Sequence, residues 1–286
     1  MNEKSFKKQS RQSKANNKIK SYLSIAGKGF FVGGSMLVPG VSGGSMAMIL
    51  GIYGKLIDAV SSFFKHIKWS IQFLLVFCFS AMLGMFLFAK PLLNLIEQFP
   101  LVMMFFFIGA VFGSVPMIVR KAEVKQFSIR VILYPILGYL MMYGINLLPE
   151  NTLNPSDMSS LLRYIPVLIA GIVVAVALVL PGISVSYMLL VLGLYEDTMQ
   201  AISNLDLLFL MPLGIGLVLG IIMTTKLLEK AMEKQPEPTY LIILGFIFAS
   251  CVDVFPGVPK GTTLYLAVAM FFCGAYLVYR LSKLED

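Results

Sequence analysis

A Pro-Gly pair set inside an apolar run, followed two residues on by a serine, breaks a helix and offers a cap for a new one. The chain carries this device twice. The stretch from Val38 to Val60, VPGVSGGSMAMILGIYGKLIDAV, recurs 142 residues later as LPGISVSYMLLVLGLYEDTMQAI. Identical residues coincide at Pro39/Pro181, Gly40/Gly182, Ser42/Ser184, Met46/Met188, Leu50/Leu192, Gly51/Gly193 and Tyr53/Tyr195. Each copy therefore reads as two half-helices meeting at a polar turn. In hydrocarbon such a turn is tolerated only where protein or a cavity surrounds it, and paired interruptions at matched places in two halves point to a transport site.

Hydrocarbon is the right medium to consider. Of 286 residues, 58% are hydrophobic and 13% charged, and the apolar runs are too long for the strands of an outer-membrane barrel. This excludes a soluble enzyme and predicts an all-α integral membrane protein. Eight of the 23 Lys and Arg fall within the first 28 residues. A cytoplasmic N-terminus facing anionic lipid accounts for them, and nothing else speaks for nucleic-acid binding. No small-residue cleavage site follows, so a removed signal peptide is not expected. Cys78, Cys251 and Cys273 stand singly in apolar runs and read as packing residues, without the spacing of a metal site or a disulfide framework.

Residues 1–20 read as a disordered basic tail. Repeat 1 occupies 21–148, with a hairpin over 22–60 and spans near 70–89, 101–119 and 131–148. A polar linker follows over 149–162. Repeat 2 fills 163–286, with a hairpin over 164–200 and spans near 206–226, 239–255 and 262–280. Beyond the motif the repeat continues at an offset of 136: Leu83-Gly84 matches Leu219-Gly220, and Lys90, Glu97, Pro100, Gly109, Phe112 and Ser114 match Lys226, Glu233, Pro236, Gly245, Phe248 and Ser250.

Charge selects a topology. If each broken segment is a re-entrant hairpin, Lys65, Lys68, Arg120, Lys121, Lys125, Arg130, Lys226, Lys230, Lys234, Arg280 and Lys283 all share the side of the basic N-terminus. Full crossings would instead place the basic loop after the second span outside, against the positive-inside rule. Three crossings per half, an odd number, predict that the halves are inverted relative to one another. Both termini are then cytoplasmic, and the linker lies outside.

With half-helices of about 15 residues, some 22 Å long at 1.5 Å per residue, the two tips reach the midplane from opposite sides. Each second arm begins there with free backbone N–H groups and the positive end of its dipole, which favours an anion. The candidate substrate-binding residues are Pro39, Gly40, Ser42, Gly43, Gly44, Ser45, Pro181, Gly182, Ser184 and Ser186. The serine hydroxyls either complete an anion site or cap their own half-helices. Tyr53 and Tyr195 read as belt aromatics at the hairpin mouths. Lys55 and Asp58, three apart on one arm, are candidates for an ion pair or a headgroup role, as is Arg163 at the outer mouth of the second hairpin. Asp253 is a candidate coupling carboxylate. No cofactor or metal is expected; coupling to protons or sodium fits such a device, although no residue names the ion. Nothing in the residues specifies an oligomer.

The pair VPGVSGGSMAMILGIYGKLI and LPGISVSYMLLVLGLYEDTMQAI, with the basic tail and duplicated plan, resembles the bacterial polyprenyl-phosphate transporter family over about residues 22–280. The resemblance implies a transporter of the bacterial cytoplasmic membrane that returns undecaprenyl phosphate, the carrier lipid of envelope synthesis, from the outer to the cytoplasmic leaflet. It implies a phosphate lipid held between the two tips while its tail stays in the bilayer, with one repeat rocking against the other. Two other readings use the same residues. One is an ion-coupled carrier of a small soluble anion. The other is a polyprenyl-pyrophosphate phosphatase, since PGISVS is similar to the PGxSRS box of those membrane enzymes. Here Val185 stands where that box has arginine, and neither motif brings a histidine or glutamate pair, so leaving-group neutralisation and general acid–base catalysis lack their side chains. The chain is expected not to be an enzyme.

Overall fold

The computed structural model describes residues 20–36, 43–124, 128–148 and 164–283, and every element among them is an α-helix. The tail up to residue 19, the linker, and Pro39, Gly40, Ser42 and Arg163 lie outside the described residues. In the first half come α1 (20–35), α2 (Gly43–Ile49), α3 (Tyr53–Ser61), α4 (Ile67–Gln98), α5 (Pro100–Lys121) and α6 (Arg130–Asn146). The second half follows with α7 (Tyr164–Val179), α8 (Val185–Val191), α9 (Tyr195–Asn204), α10 (Leu207–Lys234), α11 (Pro236–Val254) and α12 (Thr262–Lys283). Five helices, α4, α5, α10, α11 and α12, are long and apolar enough to cross a bilayer. The sixth expected span, α6, has 17 residues, the short limit for a crossing. Helices α4 and α10 overrun the spans read from hydropathy, ending at Gln98 and Lys234.

Small residues set the packing, because helices in lipid gain most from close backbone approach. A side chain at Gly84 on α4 would collide with the carbonyl of Phe30 on α1, and one at Gly220 on α10 would meet the backbone of Ile172 on α7. Likewise Gly29 faces the Phe77 carbonyl and Gly171 that of Leu213. These are the same contacts in the two halves at the sequence offsets already noted, so α1 lies on α4 as α7 lies on α10.

The remaining pairs cross between halves. Gly109 on α5 abuts the carbonyl of Phe271 on α12, while Gly245 on α11 abuts that of Pro135 on α6. Gly274 against Phe106 and Gly138 against Ile242 repeat the match from the other helix of each pair. The second span of each half thus packs on the third span of the other. At the centre Phe112 meets its own counterpart Phe248, ring centroids 5.6 Å apart. A residue touching its equivalent is the signature of a two-fold relation, here within one chain.

Burial agrees with that centre. Half of the α11 span is enclosed and 39% of α5, against 17% for α4, α10 and α12. Leu241, Ile243 and Ile247 of α11 are essentially inaccessible. The outer helices present Leu75, Phe79, Met82 and Phe86, or Leu208, Met211, Val218 and Met223, to the surroundings, as lipid-facing surfaces do.

Candidate functional site

The second arm of each hairpin, expected as one half-helix of about 15 residues, is two short helices. Helix α2 has seven residues, as does α8, and α3 leaves α2 at 117°. The break is a Schellman motif: Ile52 N–H donates to the Ala47 carbonyl (2.9 Å) and Gly51 N–H to that of Met48 (3.0 Å). In the second copy Leu194 N–H donates to Leu189 and Gly193 N–H to Leu190, both at 2.9 Å. Gly51 and Gly193 hold φ of 68° and 73°, the left-handed values this cap requires and glycine adopts freely. These helices extend only about 10 Å at 1.5 Å per residue. They are shorter than the single arm expected, and in the first copy the chain turns sharply into α3.

At the start of α8 the expected cap forms: Ser184, in extended conformation, accepts a hydrogen bond from Tyr187 N–H at 3.3 Å. Ser184 and Ser186 are exposed, whereas Pro181 and Gly182 are buried, Gly182 at φ 91° close against the backbone of Phe246. The two broken segments touch, since a side chain at Gly44 would lie 3.3 Å from Pro181 Cα. Gly43 abuts the Met36 side chain. Ser45 is buried beside a smaller void between α2, α5 and α11.

Both segments open on one cavity of about 900 Å³. Gly43 and Gly44 line it from the first half, and Gly182, Ser184 and Ser186 from the second. Apart from these and Thr225, Ser250 and Asp253, its walls are largely apolar, built from α1, α3 and α4 on one side of the sequence and α7 and α10 on the other. Thr225 and Ser250 donate their hydroxyl hydrogens to carbonyls of their own helices, at 2.7 Å to Ile221 and 2.8 Å to Ile247. They therefore turn acceptor lone pairs outward. Backbone N–H groups at the starts of α2 and α8 remain the donors suited to an anion.

Several expected residues are distributed differently. Asp253 is exposed and lines the cavity. Lys55 and Asp58 are exposed on α3, away from the cavity walls, and among the described residues no ion pair joins them. Tyr53 is not a belt aromatic. It is 3% exposed, lines the cavity, and donates to the Val179 carbonyl at 2.6 Å, tying the first broken segment to the end of α7. Its counterpart Tyr195 is 37% exposed. Cys78, read as a packing residue, is exposed and lines the cavity. No local pattern could have found these roles, which depend on contacts more than a hundred residues apart.

A family model described as undecaprenyl phosphate translocase-like matches residues 32–270. A polyprenyl-phosphate transporter of Staphylococcus aureus is 32% identical over 261 residues, covering 88% of this chain and 92% of that protein. Another, of Vibrio cholerae, is 29% identical over 255 residues, 84% of this chain and 79% of its own length. No solved structure matches the chain.

Proposed function

The chain belongs to the undecaprenyl phosphate translocase-like family, and from that premise we propose that it carries a polyprenyl phosphate across the bacterial cytoplasmic membrane, from the outer leaflet to the cytoplasmic one, returning the carrier lipid to envelope synthesis. The observation that carries this reading is the single cavity lined by matched broken segments from both halves. Its polar groups are those at the segment ends together with Thr225, Ser250 and Asp253, and most of the rest of its wall is apolar. A volume of about 900 Å³ is at the upper end of what encloses a drug-sized ligand, well beyond what a small soluble anion needs. An amphiphile with a phosphate end and a hydrocarbon end fits both parts.

In this mechanism the headgroup enters between the segment ends and is held by backbone N–H groups of α2 and α8, with Ser42, Gly43, Gly44, Ser184 and Ser186 around it. The segments are re-entrant hairpins in inverted halves, so each end is reached from a different side. Exchange of α5 and α11 between the halves makes the repeats poor rigid bodies. The moving parts are the outer pairs, α1 with α4 and α7 with α10, about a scaffold of α5·α12 and α11·α6. Asp253 is the coupling carboxylate, loading a proton or sodium ion. The chain performs no hydrolysis: Val185 replaces the arginine that a pyrophosphate's leaving group would require.

The test is reconstitution into liposomes with a fluorescent short-chain polyprenyl phosphate, following which leaflet holds the headgroup by its reaction with an impermeant quencher. Protein-dependent movement of the phosphate, with none of the matching alcohol, is expected. Equal movement of both, or transport of inorganic phosphate alone, rejects the lipid substrate. Release of phosphate from the pyrophosphate by purified protein would restore the enzyme reading.

A further inference from the structure

Six residues both line the cavity and are exposed, and they fall into two groups. Ser184, Ser186 and Asp253 are polar. Met36, Cys78 and Leu178 are not, and they come from the end of α1, from α4 and from the end of α7. Cys78 stands at the middle of the span Ile67–Phe88. Met36 follows the end of α1, and Leu178 is the penultimate residue of α7, where the two broken segments turn. On α4, Cys78 belongs to the stripe formed by Leu75, Phe79, Met82 and Phe86, all strongly exposed. The cavity edge therefore meets the lipid-facing surface of α4 within its apolar stretch.

We propose that this edge is a lateral portal through which the prenyl chain of the bound phosphate lies, its first isoprene units against Met36, Cys78 and Leu178 and the remainder among the acyl chains. The inference rests on the phosphate-lipid reading and adds the seat of the chain to it. An opening onto that apolar stretch faces hydrocarbon, where a water-borne anion has no access and an apolar branched chain loses nothing by staying. The portal is continuous with the headgroup seat: the Met36 side chain lies against Gly43, and Leu178 adjoins Val179, whose carbonyl Tyr53 holds. Two of the three edge residues carry sulfur, and an unbranched Met side chain adapts to an irregular chain passing over it. The phosphate thus stays at the segment ends, the first isoprene units lie in the cavity edge, and the rest of the chain stays in the bilayer.

The experiment places a photoreactive benzoylphenylalanine at Cys78, Leu178 or, as a control on the outer face of α4, Phe86, which is 81% exposed. Proteoliposomes of each variant are irradiated with a radiolabelled polyprenyl phosphate, with and without excess unlabelled phosphate. Adducts at 78 and 178 should fall about tenfold when the competitor reaches roughly ten times its Kd, and the adduct at 86 should not saturate. In parallel, Leu178→Trp should weaken binding and slow transport of a long-chain polyprenyl phosphate, whereas Phe86→Trp on the outer face of α4 should change neither. If the lipid binds and the adducts at 78 and 178 behave like that at 86, the portal is wrong and the transporter reading stands. If the unmodified protein binds no polyprenyl phosphate, the substrate reading fails and takes the portal with it.

Discussion

The two broken segments carry the same proline, glycine, serine and tyrosine at matched positions, yet they sit differently. In the first, Tyr53 is buried and donates to the end of α7; in the second, Tyr195 is exposed. The first begins its short helix with Gly43-Gly44-Ser45, the second with Val185-Ser186-Tyr187. The glycines let Gly44 rest against Pro181, while the second copy keeps its hydroxyls exposed. In the alternating mechanism proposed above, the partner state would exchange these surroundings. On that proposal the tyrosine difference is one of state. The glycine difference is written in the sequence and persists in both.

Four measurements bear on this comparison. The largest effect concerns sidedness. In a chain lacking the native cysteines, Lys65→Cys, beyond the first segment, and Asn204→Cys, at the end of the second, should be labelled from opposite faces of the membrane by an impermeant maleimide. Labelling of both from one face removes the inverted relation. Next, Gly44→Leu should reduce transport about tenfold to a hundredfold, as overpacking by about 1–3 kcal/mol against Pro181 would. Ser186→Leu, at the matched and exposed position, should act far more mildly; equal losses would mean that the glycine asymmetry is incidental.

Smaller effects follow from hydrogen bonds. Tyr53→Phe orphans the Val179 carbonyl and should cost about 1–3 kcal/mol in thermal or denaturant unfolding, whereas Tyr195→Phe should stay within about 0.5 kcal/mol. Comparable costs would show that the two tyrosines are used alike. Smallest is the cap: Ser184→Ala should cost about 1 kcal/mol. If Ser42 and Ser184 share one phosphate, headgroup affinities of Ser42→Ala, Ser184→Ala and the double variant should be non-additive by roughly 0.5–3 kcal/mol. Additive losses place the phosphate on one segment only.

Duplication, spans and the facing of both broken segments on one site could be reasoned from the residues, because periodic apolar runs and paired breakers are local signals. The Schellman turns at Gly51 and Gly193 were also local, and their matched Leu-Gly was visible. They escape notice because a glycine inside a membrane segment usually reads as a packing residue. Burial of Tyr53 and exposure of Cys78 had no local signal at all. Tyr53 is 126 residues from its acceptor, and its apolar ring and polar tip suit an interface equally well. The overrun of α10 escapes hydropathy because its polar last turns continue a helix without a breaker there, and that of α4 because the helix runs on through Pro91, where a proline ordinarily reads as an end.

The exchange of helices between halves also orders the events of biosynthesis. Helix α5 leaves the ribosome with Gly109 and Gly113 facing outward, and the surface they fit, Phe271 to Ala275 on α12, is the last helix described in the chain. Until it arrives, the first half holds an unfilled seam in the lipid. Neither half can mature by itself, and a chain stopped before Thr262 leaves that seam open, a face on which quality-control proteases or a second nascent copy can settle. Arrival of α12 then fills the seam that α5 holds open.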